Sequence, residues 1–197
     1  MSVAAYATEP TELLNPHAQV RALWEELDIP HGWRAEILEG NIFAAPPPAN
    51  IDNTVASLLH RTLVRSVPDE WHIHQTQAIE LGATGDIYIP DLVVYPHEKM
   101  PADGTTAPAE HALLVVEITS PSNADHDRKR KLWGYAHAPV PHYLFVDRHA
   151  KGGPHVTLYS KPEVGVYQSM VRVRYGETIT LPEPFDLKID TGTFPRR

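Results

Sequence analysis

The sequence predicts a mixed α/β or α+β fold: a mixed β-sheet core flanked by helices, with added antiparallel strands. Three observations predict it. The run Leu113 to Ile118, LLVVEI, is apolar on both faces, the pattern of a central strand packed between layers. The segment Asn50 to Val67 places Val55, Leu58, Leu59, Leu63 and Val67 on one helical face. Beyond Lys151-Gly152-Gly153, the stretches HVTLYS, VYQSMVRVRY and ETITL alternate as an antiparallel meander does.

Residues 1–15 carry no periodicity and are expected to form a loose arm before a single domain over 16–197. From His17 to Pro30, Val20, Leu23, Trp24 and Leu27 recur at helical spacing, and Pro30 stops the helix. Trp33 to Ala45 reads as two short strands around a Glu39-Gly40-Asn41 turn, after which Pro46, Pro47 and Pro48 break regular structure. WHIHQ, QAIEL and IYIPDLVVY read as strands, and a Pro- and Gly-rich loop follows from His97 to Ala109. After the Leu113 strand, Ser122 and Asn123 are good helix N-caps. Their helix is expected to run to about His137, with Leu132, Trp133 and Tyr135 on its core face. HYLFVD, residues 142–147, is a further buried strand.

The chain has 197 residues, 42% of them hydrophobic, enough to bury a core of its own. No apolar run approaches the roughly 20 residues that cross a bilayer, and the first residues lack a signal peptide's basic start and apolar stretch. A soluble, cytoplasmic protein without a membrane partner is expected. There are no cysteines, so disulfides and thiolate metal sites are excluded and any metal must be held by Asp, Glu, His or backbone oxygens. The net charge of -8 argues against coating a duplex through bulk charge, but leaves room for a local basic patch. No Gly-x-Ser-x-Gly, phosphate-cradling Gly loop or His-Glu-x-x-His is present, which removes serine hydrolase, P-loop and zincin readings. His72, His74 and Glu80 resemble the start of a cupin site. Their spacing is too long, and both histidines read instead as polar positions on a half-exposed strand.

Asp91 follows Pro90 at the head of LVVY, and Glu117 stands near the end of the apolar Leu113 strand. Singly, each has an ordinary explanation, as a turn residue or a half-exposed edge residue. An ionised carboxylate left alone among apolar groups would nevertheless cost several kcal/mol, roughly, so a cation is expected beside Glu117. The next helix offers Asp127-Arg128-Lys129-Arg130-Lys131. Asp127 and Lys131 are four apart, a pairing worth about 0.3–0.5 kcal/mol on a solvated face. Lys131 adjoins the core face, where its stem can run along the sheet and deliver an ammonium to the strand end.

These residues carry a family resemblance. IPDLVVYP, LLVVEITSPSN and DHDRKRKLWGYAHAPVPHYLFVD, preceded by WRAEILEGNIF, resemble the Uma2 family of restriction-endonuclease-like proteins from about Trp33 to Phe194. The resemblance implies a PD-(D/E)XK nuclease core and a metal-dependent endonuclease that hydrolyses phosphodiester bonds of nucleic acid, DNA being the expected form. Asp91 and Glu117 would then hold one or two Mg²⁺ or Mn²⁺ ions, with the Ile118 carbonyl as a further ligand. Glu36, the acidic residue before the Gly turn, would complete the metal shell or hold a water, while Glu39 fits the turn itself.

The general nuclease pattern puts a lysine two residues after Glu117, where this chain has Thr119. The resemblance places that lysine on the following helix, at Lys131, with Lys129 as second choice. The expected catalytic set is therefore Asp91, Glu117, Lys131 and Glu36. Arg128, Lys129 and Arg130 are the expected phosphate contacts, whereas Arg61 and Arg65 read as solvated helix surface. Asp127 is expected to anchor Lys131 or Arg128. The family often has a His after the Pro-rich turn, and Asn50 to Asn53 lack one. A homodimer would supply the two sites that two cuts across a duplex need. The competing expectation is a non-catalytic nucleic-acid or protein binding module on the same fold.

Overall fold

The protein is described by a computed structural model covering residues 16–119 and 127–196. In chain order its elements are α1 (Pro16–Glu25), β1 (Arg34–Leu38), β2 (Asn41–Ala45), α2 (Asn50–Val64), β3 (Trp71–Gln75), β4 (Ala78–Leu81), β5 (Asp86–Tyr88) and β6 (Leu92–Pro96). There follow β7 (Thr106–Pro108), β8 (Leu114–Ile118), α3 (Leu132–His137), β9 (His142–Asp147), β10 (His155–Glu163), β11 (Val166–Arg174), β12 (Thr178–Leu181) and β13 (Leu187–Asp190). A wide π-type turn, Asp127–Lys131, leads into α3.

Two sheets carry the core. One has the order β11-β10-β9-β8-β6-β3, the other β2-β1-β5-β4-β7. In the first, β8 and β9 run parallel, with Glu117 opposite Phe145. Apolar side chains from both sheets and from α3 meet in one cluster: Leu38, Ile79, Tyr88, Val93, Val115, Tyr135 and Tyr143 among them. On the opposite face of the six-stranded sheet lie α2 and the β12–β13 hairpin. Val55, Leu59 and Leu63 of α2 are fully buried there, each burial worth about 1.5–3 kcal/mol. Val20 and Trp24 of α1 cover Ile37, Ala78 and Ile87 on the outer face of the five-stranded sheet.

The β1–β2 hairpin closes in two residues, Glu39 and Gly40, with φ of 52° and 69°. Positive φ at both positions is the signature of a type I′ turn, and it suits Gly. The buried Asp86 carboxylate accepts hydrogen bonds from both turn N–H groups at 3.0 Å and so fixes the hairpin to β5.

Several expectations need correction. IYIPDLVVY is two strands in different sheets, because Pro90 has no N–H to continue a ladder and the chain crosses over at Ile89-Pro90-Asp91. β7 lies inside the expected loop. ETITL does not extend the meander; as β12 it pairs with β13 in a separate two-stranded sheet. Trp133 is not a core residue: it is 46% exposed and stacks on His137, while Tyr135 and Ala136 take the core face. In α1, Leu23 points outward. The expected arm over 1–15 and the caps Ser122 and Asn123 lie outside the described residues. No described helix is long and apolar enough to cross a membrane.

Candidate active site at the end of strand β8

Glu117 is 4% exposed, one residue from the end of a strand buried on both faces. Its expected cation is present. Lys131, itself 4% exposed, donates from Nζ to Glu117 Oε1 at 2.9 Å, and the Tyr135 hydroxyl donates to the same oxygen at 2.6 Å. Lys131 also reaches Glu36 Oε1 at 2.8 Å. Lysine is almost never fully buried without partners, and here two carboxylates share one ammonium. Burial pushes the Tyr135 phenol well above its ordinary pKa, and the neighbouring Glu117 charge and hydrogen bond add to the rise. Tyr135 therefore stays protonated and serves Glu117 as a fixed donor.

Glu36 comes from the hairpin that Asp86 anchors. It faces inward on β1, and its Oε1 also accepts the Ile89 N–H at 2.5 Å, just where the chain leaves β5. Asp91 stands two residues further on. Its Oδ2 accepts the Ile118 N–H at 2.8 Å and its Oδ1 meets Arg34 Nη1 at 3.2 Å. Burial pushes the Asp91 carboxyl above its ordinary value; the Ile118 N–H, Arg34 and Lys131 pull the other way without overcoming it. The Pro90-Asp91 crossover, the β8 end, the β1 hairpin and α3 thus meet at one place.

Thr119 explains how the lysine can come from elsewhere. It is fully buried, and its hydroxyl accepts the Arg148 N–H at 3.1 Å while lying 3.4 Å from both Val146 O and Asp147 Oδ1. That position is committed to the end of β9, and the ammonium beside Glu117 arrives from the wide turn before α3.

The predicted residues Asp91, Glu117, Lys131 and Glu36 are brought together, and Ile118 joins them through its N–H, with its side chain in the opposite core layer. Lys129 is exposed. Arg130 lies over the Phe43 ring at 5.5 Å and 3.5 Å from Glu39, on the rim of the same hairpin. The side chains of Arg128 and Asp127 lie outside the described residues. Arg61 on α2 and Arg65 at its C-cap are exposed, as solvated surface would be. His72 and His74 sit on β3, whereas Glu80 sits on β4 in the other sheet and is paired with Arg21, so no cupin-type cluster forms.

Sequence reasoning passed over Arg34 and Asp86. The signal for Arg34 was its spacing from Glu36: two residues apart on a strand share a face.

The donor chemistry suits a hard divalent ion: two carboxylates at adjoining strand ends, in a chain with no cysteine sulfur. Among the described residues no three of His, Cys, Asp and Glu form a preassembled metal cluster. Asp91, Glu117 and Glu36 are thus not assembled as the expected three-carboxylate shell; their oxygens meet Arg34, Lys131, Tyr135 and the Ile89 and Ile118 N–H groups instead.

Comparison with known proteins identifies a family and a fold neighbour. The sequence matches the Uma2 family, described as "Putative restriction endonuclease", over residues 22–192. A crystal structure described as a putative nuclease belonging to DUF820, from Anabaena variabilis, superposes with a TM-score of 0.64 at 16% identity, covering 87% of this chain and 94% of that one. At that identity the likeness concerns the fold. No curated protein matches the sequence.

Proposed function

Because the chain belongs to the Uma2 family, we propose that it is a metal-dependent endonuclease whose site is the cluster of Asp91, Glu117, Lys131 and Glu36. The observation that carries the reading is the buried Lys131 ammonium held between Glu36 and Glu117 at the strand end that Asp91 also reaches. A protein that needed only a stable core would do as well or better with apolar residues in those places.

Asp91, Glu117 and the Ile118 carbonyl would hold Mg²⁺ or Mn²⁺, with Glu36 beside them. When bound, the ion supplies Lewis acidity toward a phosphoryl oxygen and eases the making of hydroxide at neutral pH. The remaining work falls to the chain. Glu36 and Glu117 fix the Lys131 ammonium where negative charge develops on the phosphate, so no reorganisation is needed at the moment of reaction. Tyr135 fixes Glu117. Arg34 supplies a second cation that can turn from Asp91 to a phosphate oxygen, since its side chain is 23% exposed. Arg130 on the hairpin rim and the exposed Lys129 fit contacts to neighbouring phosphates. The net reaction adds water across a phosphodiester to give a phosphomonoester and an alcohol.

One observation favours the non-catalytic alternative. Three carboxylates already face two cations, Lys131 and Arg34, a nearly balanced network that can persist without a metal. Conversion of supercoiled plasmid with Mn²⁺ separates the readings. Nicked or linear product from the parent protein and none from an identically purified Asp91→Ala variant supports the nuclease. Equal conversion by both places the activity elsewhere, and none by either favours the binding module.

A further inference from the structure

Beside the proposed site lies an open cleft of about 510 Å³, lined by Trp24, Leu27, Trp33, Pro48, Ile89 and Arg34. That volume is within the range of small-molecule sites. The Trp24 ring and the backbone at Trp33 are held in place. The Trp24 indole N–H donates to Ala35 O at 2.6 Å, and the Trp33 backbone N–H donates to Pro30 O at 3.0 Å. Gly32, at φ +83°, lets the chain turn close beside Pro47, where a Cβ would stand 3.2 Å from the proline ring. Trp33 is left 39% exposed, although burial of its ring would be favourable.

Arg34 both lines this cleft and pairs with Asp91. The cleft and the proposed phosphate site therefore share one side chain as a wall. A flat apolar group joined to a phosphate would place the phosphate at Arg34 and the flat group against tryptophan. We infer that the cleft is a stacking subsite for an unpaired nucleobase next to the scissile phosphate, so that the substrate is single-stranded or locally unwound nucleic acid. The inference rests on the nuclease reading and narrows it. Bases inside a duplex cannot enter such a cleft, whereas every base has a π-face to offer a tryptophan. The charge of -8 points the same way, because duplex binding depends heavily on phosphate neutralisation.

The test is fluorescence anisotropy of a labelled 15-nucleotide single strand and its duplex on the full chain in EDTA, with Mn²⁺ cleavage measured separately. The single strand should bind at least tenfold tighter than the duplex. Trp33→Ala should weaken single-strand binding by about 5- to 150-fold, the worth of one base stacked on an aromatic ring, and Trp33→Phe should retain most of it. An abasic residue at one position should reproduce the loss with the parent and add nothing to Trp33→Ala. Tighter duplex binding, or a folded Trp33→Ala that binds as the parent does, overturns the cleft assignment; cleavage by the parent would leave the nuclease reading standing. Strand binding that depends on Trp33 without any cleavage supports the cleft and sinks the nuclease. A parent that neither binds nor cuts any strand overturns both.

Discussion

Replacing Lys131 by Met keeps the length of the stem and removes the ammonium. At 2.8 Å from Glu36 and 2.9 Å from Glu117, with all three side chains 13% exposed or less, each contact has a gross attraction of about 6 kcal/mol at an effective dielectric of 20. Most of that is offset by desolvation. What the variant loses is the compensation of two buried carboxylates, which costs about 3–5 kcal/mol when one partner of a buried pair is removed. For a chain of 197 residues this lowers Tm by about 6–20 °C. Urea denaturation at pH 7 is the assay. Adding Glu36→Gln to Lys131→Met should restore about 0.5–3 kcal/mol, because the two residues share one interaction. A loss below about 1 kcal/mol, the scale of an exposed ion pair, with no recovery in the double variant, would refute the placement of Lys131.

Asp86→Ala removes the acceptor of two hydrogen bonds that hold the Glu39-Gly40 turn, each worth about 1.5–3 kcal/mol because the acceptor is charged. It should cost about 3 kcal/mol in urea denaturation and reduce cleavage as well, since Glu36 and Arg34 ride on the same hairpin; unchanged stability would show that the turn holds without it. His142, buried beside Phe185 with Nδ1 3.2 Å from Leu113 O, has its pKa lowered, chiefly by burial. A folded state that binds its proton less readily than the unfolded chain loses stability as pH falls below about 6.5. The loss between pH 7.5 and 5.5 should be smaller in His142→Gln than in the parent, as read from urea midpoints, and equal losses would contradict this.

Much of this was legible because local pattern and tertiary placement agree. LLVVEI and HYLFVD read as buried strands and form β8 and β9, and α2 buries the stripe its period predicts. Glu117 announced its partner, since a carboxylate on such a strand requires a cation. What stayed hidden depends on contacts between distant segments. Asp86 reads as an ordinary turn residue until the β1 hairpin is placed against β5, and Arg34 reads as a strand-edge cation until the Pro90 crossover brings Asp91 to it. Trp133 misled because the helix core face is short and adjoining residues compete for it; Tyr135 wins by reaching Glu117 and Tyr88, where Gly134 leaves no room for a Cβ against the Tyr88 hydroxyl. The short strands β7 and β13 have too few residues to show a period.

In the proposed site, Asp91 and Glu117 hold the cation at the end of β8. Titration of Mn²⁺ into the protein, followed by loss of the free-ion electron paramagnetic resonance signal, tests it without relying on turnover. One or two ions should bind to the parent, with affinity falling at least tenfold in folded Asp91→Asn and in folded Glu117→Gln. Equal binding by all three proteins would contradict it.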